Sequence, residues 1–495
     1  MARSATVFQS CVAGAACFLI PAALVTAYTL NHFYVVGAYF WDSGLFAHFS
    51  AFTNEWPMQW PTVLPYGTPR PTFFSIHFMP IFYLSSALHQ LVPFVPPAAY
   101  FAILQGMWAG LIGLSAFLLC AGPAGYGIAA VTALATALCG PMLAAIGFPH
   151  VETAIPALLL LFFALHARGH VLAAFMALGL CLLVREDAGL HAAAFLTLLA
   201  AARWISGYPR QESLRCLAVA LVCVAWSIAV LIFQATWSPG GPTHVETMYL
   251  GTPIGAHLSL KLVSARAALF LTGWGYAVWP VVGLFAVAAW RRDALLLAGA
   301  LAPMPWILLS LLAVKDIGLT SYYSFPIIIS IAWPTMAMPG RPFAVRLQLV
   351  LAAGSALLFA LAGGPNHDKA PWRLFTPSEF GAMGRYEAVL REVVGQRAAL
   401  GRVMLDDAAL SLIPEAALVG EWTLLRAASE YPYPDIVIHM PGSPGEGEGG
   451  KVIEGAGLAH HCRIGGTPFV ISSRSPLSPG TAALPPCIRL SDSLP

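Results

Sequence analysis

Eleven stretches of this chain are apolar across most of a bilayer's width, at 8–30, 99–119, 125–146, 151–167, 170–184, 188–203, 214–236, 266–290, 294–313, 321–338 and 345–363. A helical crossing takes about 20 mainly apolar residues. The chain is therefore predicted to be mainly α, a polytopic membrane protein of about eleven spans. Composition agrees, since 58% of residues are hydrophobic and 10% charged, where a soluble domain has about 25% charged. A soluble globular protein and a disordered one are excluded, and a net charge of +2 offers no basic field for nucleic acid.

The charges are unevenly divided. Residues 1–363 hold 14 Lys+Arg and 9 Asp+Glu, whereas 364–495 hold 11 and 14. The Gly363-Gly364-Pro365 break is the predicted boundary between a transmembrane domain (1–363) and a soluble tail domain (364–495). The first apolar run is read as an uncleaved anchor. The run from His77 to Val95 is amphipathic and Pro-rich and is read as an interfacial helix within a long first loop at about 31–98.

Orientation follows from basic residues, which favour the cytoplasmic side. A cytoplasmic N-terminus puts Arg3, Arg168, Arg203, Arg210, Arg215, Arg291, Arg292, Arg341 and Arg346 inside. Arg70, Arg185, Lys261, Arg266 and Lys315 then lie outside, in longer loops. On this topology seven of the nine acidic residues of the membrane body face outward: Asp42, Glu55, Glu152, Glu186, Asp187, Glu246 and Asp316. Ionisable groups gathered at one face point to a site there.

Each outer loop contributes candidates, and each has a plainer reading beside it. Asp42 sits among aromatics in Tyr39-Phe40-Trp41-Asp42-Ser43. A partly desolvated carboxylate there could accept a proton, or Asp42 could be a helix N-cap. Arg70 and His77 could meet an anionic headgroup, or His77 could cap the interfacial helix. His150 and Glu152, two apart in Pro149-His150-Val151-Glu152, could polarise a hydroxyl or help hold a divalent ion, or simply begin a helix. Arg185-Glu186-Asp187 places three charges in a row, which need pairing or water. Arg185 has the planar fork that matches phosphate, and the alternative is a surface turn. Lys315 is a point charge for phosphate. Tyr322 and Tyr323 are site groups or members of an interfacial belt.

Trp41-Asp42-Ser43-Gly44-Leu45-Phe46, His77-Phe78-Met79-Pro80, Pro149-His150-Val151-Glu152 and Val184-Arg185-Glu186-Asp187-Ala188 resemble signature segments of the bacterial and archaeal membrane family DUF2079. The layout is in turn similar to the GT-C glycosyltransferases, which have a long first extracytoplasmic loop with an acidic residue soon after the first span. The resemblance implies sugar transfer from a polyprenyl-phosphate donor to an acceptor at the outer face of the plasma (inner) membrane, as part of cell-envelope chemistry. It makes Asp42 the general base and Glu152 or His150 its helper. Arg185 stands where lysine is more usual in the family.

The chemistry suits these residue types. Glycosyl transfer passes through an oxocarbenium-like state, and a carboxylate can deprotonate the incoming hydroxyl. The leaving phosphate needs cations, from Arg185, Lys315 or a bound divalent metal such as Mg or Mn. A transporter or flippase for a lipid-linked substrate is the alternative, though the chain shows no internal repeat and its charges fall at loop level. A structural membrane subunit is a third reading.

The tail has ordinary globular composition. Residues 379–396 are predicted to form an amphipathic helix, with short strands at 402–405, 434–439 and 468–472, giving a small extracytoplasmic α/β domain. The Gly/Glu/Ser-rich stretch 442–450 is expected to be a mobile loop. Seven of the nine cysteines lie in or beside spans. Cys462 and Cys487 lie in the tail, on the oxidising side, and are expected to form a disulfide.

Overall fold

The computed structural model describes residues 2–31, 43–58, 72–121, 125–147, 149–237, 246–273, 275–314, 321–362, 377–395, 403–406, 409, 412–413, 434–441, 450, 453–476 and 487–489. The helices in the first half are α1 (Ala2–Asn31), α2 (Ser43–Phe52), α3 (Ile81–His89), α4 (Pro97–Cys120), α5 (Tyr126–Ala137), α6 (Gly140–Ile146), α7 (Ala154–Ala167), α8 (Val171–Leu182) and α9 (Ala188–Ile205). They continue with α10 (Arg210–Ala235), α11 (Leu260–Gly273), α12 (Gly275–Arg291), α13 (Ala294–Leu301), α14 (Met304–Leu312), α15 (Phe325–Ala337), α16 (Pro342–Ala362) and α17 (Pro377–Gly395). The chain forms two compact units. One comprises Met1–Thr26, Ser75–Ile81 and Ile103–Asp368, and the other Ala27–Phe74, Phe82–Ala102 and Lys369–Pro495.

Lipid offers the backbone no hydrogen-bond partners, so apolar runs close their bonds internally as helices. All eleven predicted runs contain helix, but they are not equal. Among the described residues six helical stretches are long and apolar enough to cross a membrane, and the bent pairs α5–α6 and α11–α12 raise the number to eight if each is one span. The segments Val151–Ala167, Val171–Leu182 and Phe325–Ala337 are shorter and make up the difference from eleven. The α5–α6 pair bends by 44° where Pro141 opens α6, because proline cannot continue the hydrogen-bond ladder of the helix before it. Helix α3, read as interfacial, has only nine residues, too few to cross.

Within the first unit, close packing depends on small residues. A Cβ on Gly113 of α4 would lie 2.1 Å from the Cys17 carbonyl oxygen of α1, and one on Gly110 would lie 2.8 Å from the Phe18 carbonyl oxygen. Glycine there lets two backbones meet, the usual device where both lipid and protein are apolar. Gly189 does the same for α9 against Cys223 of α10. Between α5, α15 and α16 the amide of Gln348 donates to Thr136 Oγ1 at 2.9 Å, and Thr335 donates to Gln348 Oε1 at 2.5 Å. These buried polar groups satisfy one another.

Short turns make α7 to α10 neighbours that run back and forth, which sorts the charges. The Gln105 end of α4, the turn before α7 and the Arg185–Asp187 turn meet at one end of this unit. Arg168, at the far end of α7, donates to the Leu118 carbonyl at 2.7 Å and caps the last turn of α4. The α9–α10 turn, with Arg203, Arg210 and Arg215, lies at that opposite end. Helix α9, 18 residues long, rises about 27 Å between the two, close to the hydrocarbon thickness of a bilayer.

In the second unit, α2 and α3 pack through Phe46 and Phe82, with ring centroids 5.7 Å apart, and Phe49 meets Phe73 at 4.5 Å. The hydroxyls of Ser85 and Ser86 donate to the carbonyls of Ser50 and Ala51. The tail contains α17 and a five-stranded sheet of β1 (Val403–Leu405), β2 (Ile436–His439), β3 (His460–Ile464), β4 (Val470–Ser473) and β5 (Cys487–Arg489), in the order β1-β2-β4-β3-β5. Strands β1 and β2 are parallel and the other pairs antiparallel. The predicted helix and three strands are present. Strands β3 and β5 were not foreseen, because His460-His461-Cys462-Arg463-Ile464 is too polar to read as a strand and β5 has only three residues. Most of the stretch read as a mobile loop, 442–449, lies outside the described residues.

Two polar devices hold the sheet. Asp406 accepts from the backbone N–H of Ala409 at 2.8 Å and of Met440 at 2.7 Å, tying the ends of β1 and β2. Ser472 Oγ lies 3.2 Å from His439 Nε2 and 2.9 Å from His461 Nδ1. Burial, with His461 beside it, pushes the His439 imidazole down to about 4. The unfolded chain binds this proton near pH 6.5, while the folded tail refuses it until about pH 4. Stability should therefore be complete above pH 6.5 and fall, by a total of order 3 kcal/mol, as pH drops toward 4. Limited proteolysis of the full chain across this range is expected to show the tail opening on acidification, with His439→Gln flattening the dependence. An identical pH profile in that variant would remove His439 as the cause.

Candidate active site

The site is built on three short segments. Before α7, His150 is extended and Val151–Thr153 forms a single 3-10 turn that turns Glu152 inward to complete burial. Gln105, a lone amide in the apolar α4, holds this turn: its Nε2 donates to the His150 carbonyl at 3.1 Å, and Thr153 donates to its Oε1 at 2.8 Å. Between α8 and α9, Asp187 is the N-cap of α9 by position, yet its side chain makes no cap hydrogen bond, leaving the carboxylate for other partners. The third segment, His77–Pro80, is pinned by the Ile81 N–H donating to the Leu183 carbonyl at 2.9 Å.

Arg185 stands at the centre. Its Nη1 lies 2.6 Å from Glu152 Oε1, and its Nε lies 3.1 Å from Asp187 Oδ1 and 3.4 Å from Glu186 Oε1. Nη2 reaches the Tyr249 hydroxyl at 3.5 Å. Each carboxylate also faces its own imidazole. His150 Nδ1 pairs with Glu152 Oε2, His77 Nδ1 lies 3.0 Å from Glu186 Oε1, and His191 Nε2 lies 3.5 Å from Asp187 Oδ2. The Phe78 N–H donates to Glu186 Oε2 at 3.0 Å. Glu152 and Arg185 are buried, while the side chains of Asp187 and His77 keep 19% and 17% exposure. These last two form the open edge of the cluster.

Burial alone would push the Asp187 carboxyl upward, but Arg185, with His191 and His77, holds it well below the usual carboxylate range. Burial likewise opposes the charge on Arg185, and Asp187 foremost among its neighbours keeps the guanidinium firmly protonated. Burial raises the Tyr249 phenol, and Arg185 offsets part of that rise. With neutral imidazoles the cluster holds three carboxylates against one guanidinium, so its field is negative.

An aromatic wall adjoins the cluster. The His191 ring lies 5.1 Å from Trp306 and 4.9 Å from Phe325. Trp306 stacks on Tyr323 at 6.1 Å and donates from Nε1 to its carbonyl at 2.7 Å. Flat rings beside carboxylates suit a hydroxyl-rich ring with apolar faces.

The fold thus brings together His77, His150, Glu152, Arg185, Glu186 and Asp187, with Tyr323 in the adjoining wall. Asp42, Arg70 and Lys315 lie outside the described residues, as do the side chains of Tyr322 and Cys487. Arg185, read as a phosphate ligand, donates instead to Glu152 and the Tyr249 hydroxyl, with its Nε in ionic contact with Asp187 and Glu186. Sequence reading missed Gln105, His191 and Trp306. His191 was discoverable, four residues after Asp187 on a helix, and so was Gln105 as a polar side chain in a span. Trp306 gave no signal. Among the described residues no group of three His, Cys, Asp or Glu side chains is placed to hold a metal ion.

No family model matches the chain, and no curated protein matches it in sequence. The DUF2079 resemblance therefore remains one of short motifs. Among solved structures the chain is similar to the apo form of the Archaeoglobus fulgidus oligosaccharyltransferase, with 11% identity and a TM-score of 0.44, over 82% of this chain and 64% of that chain. The match spans less than two thirds of that enzyme's chain, and at this score it carries no functional argument.

Proposed function

We propose that this chain is an integral membrane glycosyltransferase that moves a sugar from a polyprenyl-phosphate-linked donor to an acceptor at the outer face of the plasma membrane. The observation that carries this reading is the set of three carboxylate–imidazole pairs around Arg185, at the end of the unit opposite its arginine-rich turn. The acceptor hydroxyl gives its proton to a carboxylate as its oxygen bonds to the anomeric carbon. The bond from that carbon to the phosphate oxygen breaks, and the lipid phosphate leaves with the electron pair. Asp42 is the proposed general base. Glu152 with His150 is its helper, positioned by Gln105, and Glu186 and Asp187 hold the imidazoles of His77 and His191 at the open edge. Lys315 and Arg70 are the proposed phosphate cations, and Arg185 sets the carboxylate geometry. The acceptor and the sugar are unassigned.

The separation of charges between the two ends also supports a cytoplasmic N-terminus and an extracytoplasmic tail. In the tail Cys462 is disulfide-bonded, and seven other cysteines, all before residue 224, are free. We propose Cys487 as the partner. Mass spectrometry of a non-reduced digest will contain the linked peptide, and alkylation of Cys487 in unreduced, denatured protein would refute the pairing.

Right-side-out vesicles containing the protein are expected to transfer label from a polyprenyl-phosphate sugar to acceptor, and Asp42→Asn should lower that rate by a factor of about 10² to 10⁴. Normal transfer by Asp42→Asn would refute the base assignment. Movement of intact labelled lipid across the bilayer without transfer would favour the flippase reading.

A further inference from the structure

We propose that the α9–α10 turn is a binding site for the phosphodiester headgroup of an anionic phospholipid, a role separate from the chemistry at the other end of the unit.

The turn is rigidly built. The Tyr208 N–H donates to the Arg203 carbonyl at 3.0 Å and the Gly207 N–H to the Trp204 carbonyl at 3.2 Å, the two bonds of a Schellman motif. Gly207 adopts φ +77°, which that motif requires and a side chain would strain. This closure folds Tyr208 back onto Arg203, whose guanidinium carbon lies 5.9 Å from the ring centre. Arg210, opening α10, lies 5.2 Å from the Trp204 ring centre. Ring stacking steadies a guanidinium while leaving its edge free for phosphate oxygens.

Charge and exposure point to the occupant. Glu212 lies 3.8 Å from Arg203 and neutralises part of one cation. Arg210 and Arg215 are exposed and have no carboxylate partner among the described residues. Beside them Trp204 is 52% exposed and Ile205 74%. An apolar rim next to uncompensated cations matches the boundary between lipid chains and anionic headgroups. A free phosphate would use the cations and leave the exposed apolar rim in water.

The test is native mass spectrometry of the full chain in neutral detergent with equal amounts of phosphatidylglycerol and phosphatidylcholine. The wild type is expected to retain phosphatidylglycerol preferentially. Arg210→Gln with Arg215→Gln should weaken that retention roughly twenty-five-fold, about fivefold per arginine, and leave phosphatidylcholine unaffected. Arg291→Gln with Arg292→Gln, which removes the same charge from the α12–α13 turn, should change it less than about twofold. Lysine at positions 210 and 215 should restore only part of the loss, since an ammonium cannot stack flat and present a fork. Equal losses in the two glutamine pairs, or full recovery with lysine, would overturn a site at this turn in favour of general surface charge. No loss in the first pair would move the headgroup elsewhere. Displacement of the lipid by equimolar inorganic phosphate would reassign the turn to the free ion.

Discussion

Arg185→Met should destabilise the protein by about 3–5 kcal/mol, the usual penalty for removing one partner from a buried ion cluster. The substitution keeps most of the side-chain volume, so the loss is electrostatic. Glu152, Glu186 and Asp187 would face one another with only imidazoles between them. Arg185→Lys keeps the charge but cannot reach three carboxylates from one planar fork, and should fall between the two. Melting of the purified protein in detergent at neutral pH checks all three forms. Wild-type melting in Arg185→Met at neutral pH would mean that the carboxylates are neutralised by something other than this arginine.

Glu152→Gln is expected to separate chemistry from folding. The carboxylate is buried and gives one oxygen to Arg185 and the other to His150. Glutamine preserves the shape and one acceptor but presents an amide N–H₂ to one of those partners, at a cost of about 1–3 kcal/mol. If Glu152 and His150 move the acceptor's proton, the transfer rate should fall at least a hundredfold beyond any loss of folded protein. Rate and melting are to be measured on the same preparations, with His150→Gln alongside. A rate that fell only in proportion to the folded fraction would leave Glu152 with a structural role and none in proton transfer.

Much of the architecture was legible along the chain, because apolar run length and backbone satisfaction in lipid leave helix as the solution. Every long run became helix, and the tail's amphipathic segment became α17. What could not be read was how much of a run stays straight. Pro141 breaks one run into α5 and α6, and three others stop short of a bilayer's width. In the site, the loop residues His150, Glu152 and Arg185–Asp187 announced themselves as rare charges among apolar neighbours. Trp306 did not, since its importance comes from what it touches.

By itself the sequence determined the medium, the helical class and the residues capable of acid–base chemistry, all through local composition and spacing. Only the tertiary structure decided the role of Arg185. Its place in the chain leaves open a phosphate, a carboxylate or water as its partner, whereas folding brings Glu152 from another loop to join its neighbours Glu186 and Asp187 around it. In a low-dielectric setting an ion takes the partners that packing places within reach, and packing is a property of the folded chain.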